Sequence, residues 1–228
     1  MSAGSAMNES GRVEAFSDGV FAVAITLLIF GVTVPSGPQL WKQIGHEWPS
    51  YAAYAVTFMI IGIMWANHHT VFGYVARVDR VLLFLNLLLL MGVVALPWAA
   101  GLVAHNLRIP GSPGSAKIAL AVYGGLMVYH ALTFGLLWWW LTRTGHLFDP
   151  RVDAEAARRT QLRFALGSLV YPVLVGLSFV SAVVTLALHG LIALYYAFNQ
   201  LPVPVHSGTG AEAGGNASEG PAGEDGAL

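Results

Sequence analysis

Cysteine is absent from the 228 residues. That excludes disulfides and thiolate metal sites, and it is silent about compartment. Charge is scarce too: 10% of the residues are charged, against 56% hydrophobic. Soluble domains carry roughly a quarter charged residues, and a domain of this size must still turn much of its surface to water. A chain so poor in charge is predicted to sit in lipid. No excess of either sign exists either. The formal net charge of −1 argues against a nucleic-acid partner, which calls for a basic face. There is no Gly-rich phosphate loop, no nucleophile–base–orienter set and no paired carboxylate inside an apolar run. Nothing therefore points to an enzyme, a cofactor or a metal centre. No internal repeat is visible, so an inverted-repeat transporter gains no support.

What the chain does have is long apolar runs. A spanning helix needs about 20 mostly apolar residues. Such segments are predicted at 12–34, stopping at Pro35, and at 49–75, 81–103 and 115–141. The first is expected to be a retained helix rather than a signal peptide. Its Ala22-Val23-Ala24 triplet lies near the start of the apolar run, whereas a cleavage site follows the run. The stretch 160–198 carries Arg163 as its only formal charge, and one helix of that length overshoots a bilayer. It reads as a hairpin with a tight turn near Ser178 to Ser181, ended by Pro202 and Pro204. The fold class is thus all-α integral membrane, with six transmembrane helices. The six-helix transmembrane domain is 1–205, and the acidic Gly/Ala-rich tail 206–228 lacks the apolar mass to order itself. Gln39 to Ile44 reads as one amphipathic turn at the interface.

Orientation follows from basic residues in short loops. With six spans, one side holds Arg12, Arg77, Arg80, Arg143, Arg151, Arg158, Arg159 and Arg163, and the other holds Lys42, Arg108 and Lys117. Both termini are expected in the cytoplasm of a multi-pass cell-membrane protein.

Ionisable groups within spans are costly and mark functional sites by default. They are Asp18, the pair His68 and His69, His130 and His189. Asp18 is either a first-turn acid favoured by the helix dipole or part of a buried polar knot. In the second reading Ser17 and Asp18 accept hydrogen bonds from Trp65, His68 and Asn86, which lie at a similar depth. His68 and His69 point about 100° apart on a helix, a poor spacing for one ion, because zinc pairs favour a spacing of four. One of them is expected to hydrogen-bond. His130 and His189 read as packed, satisfied histidines. Trp138-Trp139-Trp140 and Tyr195-Tyr196 suit the interfacial aromatic belt. Gly62, Gly124-Gly125 and Gly176 suit close helix approach.

The string Arg12-x-x-x-Phe16-Ser17-Asp18-Gly19, followed by Val20-Phe21-Ala22-Val23-Ala24-Ile25-Thr26-Leu27-Leu28, resembles the bacterial branch of the endosomal-lysosomal potassium channel family. The resemblance extends to Trp65-x-x-His68-His69-x-x-Phe72, to Asn86-Leu87-Leu88-Leu89-Leu90 and to Pro97. It covers the first three segments. It implies a homotetramer of six-helix protomers in the lipid bilayer, with potassium ions permeating a central pore lined by the first helix. It also implies that the usual filter loop is absent, and no Thr-Val-Gly-Tyr-Gly string is present, so carbonyl-ring selectivity is not expected. The apolar constrictions of that family map onto Val23, Leu27 and Phe30, with Phe30 standing where an aliphatic residue is more usual.

The residues can be set against that picture. At 100° per residue, Val23, Leu27, Phe30 and Val34 lie at about 60°, 100°, 40° and 80° from Thr26, and Asp18 at about −80°. If that stripe faces a pore, Asp18 faces the protomer. Thr26 and Thr33 flank the stripe, where their hydroxyls either reach the pore edge or bond the backbone one turn earlier. The leading reading is a potassium-preferring leak channel without a voltage sensor, since no helix repeats Arg every third residue. The alternative is a secondary transporter or proton-permeable protein that uses the intramembrane histidines.

Overall fold

The computed structural model describes residues 3–109 and 111–198, with side chains from 10 to 197 except at 110, 154 and 160–168. The Arg163 side chain, the prolines at 202 and 204 and the tail 206–228 lie outside the described residues. All the described elements are helical: α1 (Ala3–Leu27) with a 3-10 turn at Leu28–Gly31, α2 (Leu40–His46), α3 (Trp48–Phe72), α4 (Arg80–Arg108), α5 (Pro113–Thr144), α6 (Ala154–Ser178) and α7 (Ala182–Phe198). Among the described residues, four stretches are long and apolar enough to cross a membrane: Ser10–Gly31, Trp48–Phe72, Arg80–Arg108 and Pro113–Thr144. Two shorter apolar helices follow, Leu169–Ser178 and Ala182–Ala197.

The turn between α6 and α7 falls on Phe179 to Ser181. There the amides of Val180 and Ser181 both bond the Leu177 carbonyl, at 2.9 and 3.1 Å. The Ser181 hydroxyl then accepts from the Val184 amide at 3.4 Å, which satisfies a donor that α7 cannot satisfy itself. The short α2 buries none of its residues, as an interfacial turn requires.

The first span departs from its expected form. The α-helix ends at Leu27, the next four residues tighten to 3-10, and Val32 is extended at φ −87° and ψ 116°. Pro35 disfavours helix in the residue before it, and the β-branched run Val32-Thr33-Val34 has little to hold it helical. Val34 is therefore off the helix, and a 100° step does not place it. Phe30 stays in line for a different reason. In a 3-10 turn, side chains three apart eclipse, so Phe30 stacks over Leu27.

α5 packs between α4 and α6, α3 packs against α4 and α7, and α1 lies against α3 and α4. Leu89, Leu96, Leu120, Tyr123, Trp138 and Leu141 are among the fully buried side chains of this core. Two glycines permit close approach. A Cβ on Gly92 would stand 2.8 Å from the Tyr129 ring, and one on Gly124 would stand 2.9 Å from Val175. Gly62, Gly125 and Gly176, expected to do the same, have open space at that position.

One polar clamp closes the end of the bundle away from the α1 motif. Arg108 Nη1, at the end of α4, donates to Thr33 Oγ1 at 2.7 Å. It also donates to both Glu47 carboxylate oxygens, at 2.9 and 2.7 Å. Ser50 donates to the same carboxylate at 3.2 Å. Desolvation pushes the Glu47 carboxyl up, but the Arg108 hydrogen bond and charge, helped by Ser50, outweigh it and hold the group below its ordinary value. A depressed folded value means that the stabilisation is present above the unfolded value and is lost as pH falls through the folded one. The melting temperature in detergent should therefore begin to fall near pH 4–5, the ordinary carboxylate range, and keep falling below it. Glu47→Gln should remove that part of the slope. An unchanged pH profile in Glu47→Gln sinks the assignment.

Candidate functional site

The burial of α1 splits it lengthwise. Ser10, Ser17, Phe21, Ala24 and Leu28 are buried, while Ala15, Phe16, Gly19, Ala22, Val23, Thr26 and Leu27 are exposed. At 100° per residue, the exposed set spans an arc from about −40° to 100° around Thr26, and the buried set lies opposite. Asp18, at about −80°, is half-buried on the flank.

Ser17 begins a hydrogen-bonded chain through three helices. Asn86 Nδ2 on α4 donates to Ser17 Oγ at 2.9 Å, and Ser17 Oγ donates to the Val13 carbonyl at 2.8 Å. His68 Nε2 on α3 meets Asn86 Oδ1 at 2.8 Å. With the Asn86 amide nitrogen donating to Ser17, its oxygen is left to accept, which puts a proton on His68 Nε2. The His68 ring stacks on Phe72 at 4.3 Å and leans on Phe21 at 5.4 Å. All three polar side chains are buried.

A second pair of contacts lies outside the first. Trp65 Nε1 donates to Asp18 Oδ1 at 2.9 Å, and His69 Nδ1 lies 2.8 Å from Glu14 Oε1. These groups are half-exposed or exposed. Asp18 thus meets Trp65 at the rim and is not part of the buried chain. Arg12, Phe16 and Gly19, expected in the same network, are not brought into it within the protomer. They lie at about 40°, 80° and 20° on the helical wheel, whereas Ser17 lies at about 180°. Arg12 has no hydrogen-bond or ion-pair partner among the described residues, and a Cβ on Gly19 would meet open space.

Of the remaining candidates, Thr26 Oγ1 bonds the Val23 carbonyl one turn earlier at 2.8 Å, and Thr33 is held by Arg108. Val23, Leu27 and Phe30 are 56%, 41% and 83% exposed. Sequence reasoning missed Glu14, Arg108 and Asp79. Asp79 caps α4 through the Leu82 amide at 2.7 Å and accepts from Trp140 Nε1 at 3.0 Å. Asp79 immediately before an apolar run was a legible cap signal; its tryptophan partner had none.

The buried chain and the rim contact should differ in cost. Asn86→Ala strands His68 Nε2 and removes the donor to Ser17, at about 1–3 kcal/mol per buried group. Asp18→Ala frees an indole N–H that lies at the rim, at about 1 kcal/mol or less. Thermal unfolding of both variants in the same detergent ranks them. A larger loss for Asp18→Ala overturns the ranking.

Comparison with known proteins supplies the context for this geometry. The family described as "Endosomal/lysosomal potassium channel TMEM175" matches residues 12–97, which contain every contact of the buried chain. A protein of Streptomyces collinus named a potassium channel is 66% identical over 201 residues, spanning 87% of this chain and 96% of its own. One from Chamaesiphon minutus, also named a potassium channel, is 35% identical over 196 residues, spanning 83% and 94%. The crystal structure of a lysosomal potassium-selective channel TMEM175 homologue from Chamaesiphon minutus superposes with a TM-score of 0.74 at 35% identity, covering 84% of this chain and 97% of that one. With near-complete coverage of such relatives, and with the motif residues in place on α1, α3 and α4, the chain belongs to the TMEM175 channel family.

Proposed function

We propose that this chain is one protomer of a potassium-preferring leak channel, an ion channel and not an enzyme, in which α1 lines a pore shared by four copies. Its relatives are named potassium channels. The observation that carries the assignment of the pore to α1 is how little of that helix the protomer covers. In the most apolar window of each candidate span, 22% of residues are buried in the first and 39% in each of the other three. A helix at the margin of its own protomer, one arc polar-tied inward and the other bare, calls for neighbours on the bare side. Closed rotational symmetry supplies them.

In that assembly Val23, Leu27 and Phe30 form stacked apolar rings. Val23 to Phe30 spans about 10 Å of helix rise. An ion there sheds water with nothing to replace it, so the rings close the pore by dewetting. Thr26, Thr33 and Val34 stand at the pore edge. The motif residues Arg12, Phe16 and Gly19, free on the same arc, face the inner mouth or the neighbouring copy. The protomer crosses the cell membrane six times, α6 and α7 forming the last two crossings, with both termini in the cytoplasm. A histidine relay has no comparable support, since His68, His130 and His189 are not joined to one another by hydrogen bonds among the described residues.

Three measurements test this. Native mass spectrometry in detergent should show four times the 24.3 kDa chain mass; a conducting monomer refutes the shared pore. Single cysteines placed at 19–31 in this naturally cysteine-free chain should react with water-soluble thiol reagents at Val23, Leu27 and Phe30 and be protected at Phe21, Ala24 and Leu28. Leu27→Asn should raise resting current severalfold in planar bilayers and lower the preference for potassium. Labelling without helical periodicity, or strongest on the Ala24 face, removes α1 from the pore.

A further inference from the structure

Glu14 and Asp18 lie four apart on α1, so their carboxylates share one helix face, an unfavourable like-charge pairing in isolation. His69 of α3 faces them. Its Nδ1 is 2.8 Å from Glu14 Oε1, and one ligand atom from each of the three residues lies within 4.8 Å of the other two. Among the described residues this is the one group of three His, Asp or Glu side chains that converges in this way. Trp65 orients two of the three. Its indole N–H holds Asp18 Oδ1 at 2.9 Å, leaving Oδ2 free, and its ring stacks along the His69 imidazole at 5.8 Å and 25°. Ligands held by such outer partners are what metal sites use to fix ligand orientation.

We infer that Glu14, Asp18 and His69 bind a divalent transition-metal ion of the zinc type, bridging α1 and α3. One imidazole with two carboxylates selects a borderline ion over calcium or magnesium, which prefer all-oxygen shells. Three protein ligands leave a position for water, as in open zinc sites, and His69 is exposed on the protomer within the last turn of α3. The expectation that the adjacent His68 and His69 do not chelate together is unaffected: His68 turns inward to Asn86, and His69 alone turns to the two acids. Binding needs only the protomer. Its effect on current, fastening α1 to α3 just beyond the proposed constriction, rests on the channel reading above.

The test uses the purified, metal-stripped full chain in detergent, titrated with Co2+ as a visible stand-in for Zn2+. The expected result is ligand-field absorption that saturates at one Co2+ per chain and is displaced by Zn2+, with Zn2+ raising the melting temperature. His69→Ala and Glu14→Gln should abolish the absorption while eluting like the parent on size exclusion. Trp65→Phe should weaken binding about tenfold or more. His105→Ala, an exposed histidine at the other end of α4, should change nothing. Absorption that never saturates, or that keeps the parent midpoint in His69→Ala, marks an adventitious ion only and overturns the site. A chain that binds one cobalt through His69 yet conducts no potassium keeps the site and loses the channel reading instead.

Discussion

Hydrocarbon offers no hydrogen-bond partner, so a polar side chain inside a span must find one on another helix or cost several kcal/mol. Here that demand falls on Ser17, Asn86 and His68, and meeting it sets the azimuth of α1. Once Ser17 faces Asn86, the residues four, seven and eleven positions on, Phe21, Ala24 and Leu28, must follow it inward. All three are buried. The arc left over carries Val23 and Leu27. The bare face of α1 is therefore what remains after a serine, an asparagine and a histidine have been satisfied, and the rotation of the whole helix traces to contacts of 2.8 and 2.9 Å.

This explains which parts of the molecule were legible in the sequence. Asn86, Ser17 and His68 stand at similar depths in three apolar runs, and the bilayer leaves such groups few partners other than one another. The spans and the α6–α7 turn were legible for a related reason, since apolar length and a pair of serines at the turn are local signals. The Arg108–Glu47–Thr33 clamp was not. Its members stand at helix ends where water competes, and which of several charged or hydroxyl groups they meet depends on how α3 and α4 tilt. The same holds for Trp140 and Asp79. The 3-10 turn escaped notice because Pro35 announces that the helix stops without saying how its last turn is wound. Arg12, Phe16 and Gly19 were grouped with Ser17 by adjacency in a motif, whereas the helical wheel separates them.

Among the described residues, α1 is held by polar contacts on its N-terminal side, where Ser10 also donates to the Val75 carbonyl at 2.9 Å and Glu14 meets His69, and beyond its last turn. At one end Ser17 and Asp18 tie it to α3 and α4. Beyond the other, Thr33 is tied to Arg108. Between them, among the described residues, no side chain of α1 or its 3-10 turn bonds another helix; the Thr26 hydroxyl is spent on its own backbone. The segment from Gly19 to Val32 is thus a rod tied by polar contacts at both ends and held between them by apolar packing alone. Its four 3-10 residues are wound about 20° tighter per residue and stretched about 0.5 Å more per residue than α-helix. Relaxing them to α-helix would turn the upper rod by about 80° relative to the lower and shorten it by about 2 Å. With the ends gripped, that twist and shortening must be taken up by the rod itself, at the level of Leu27 and Phe30.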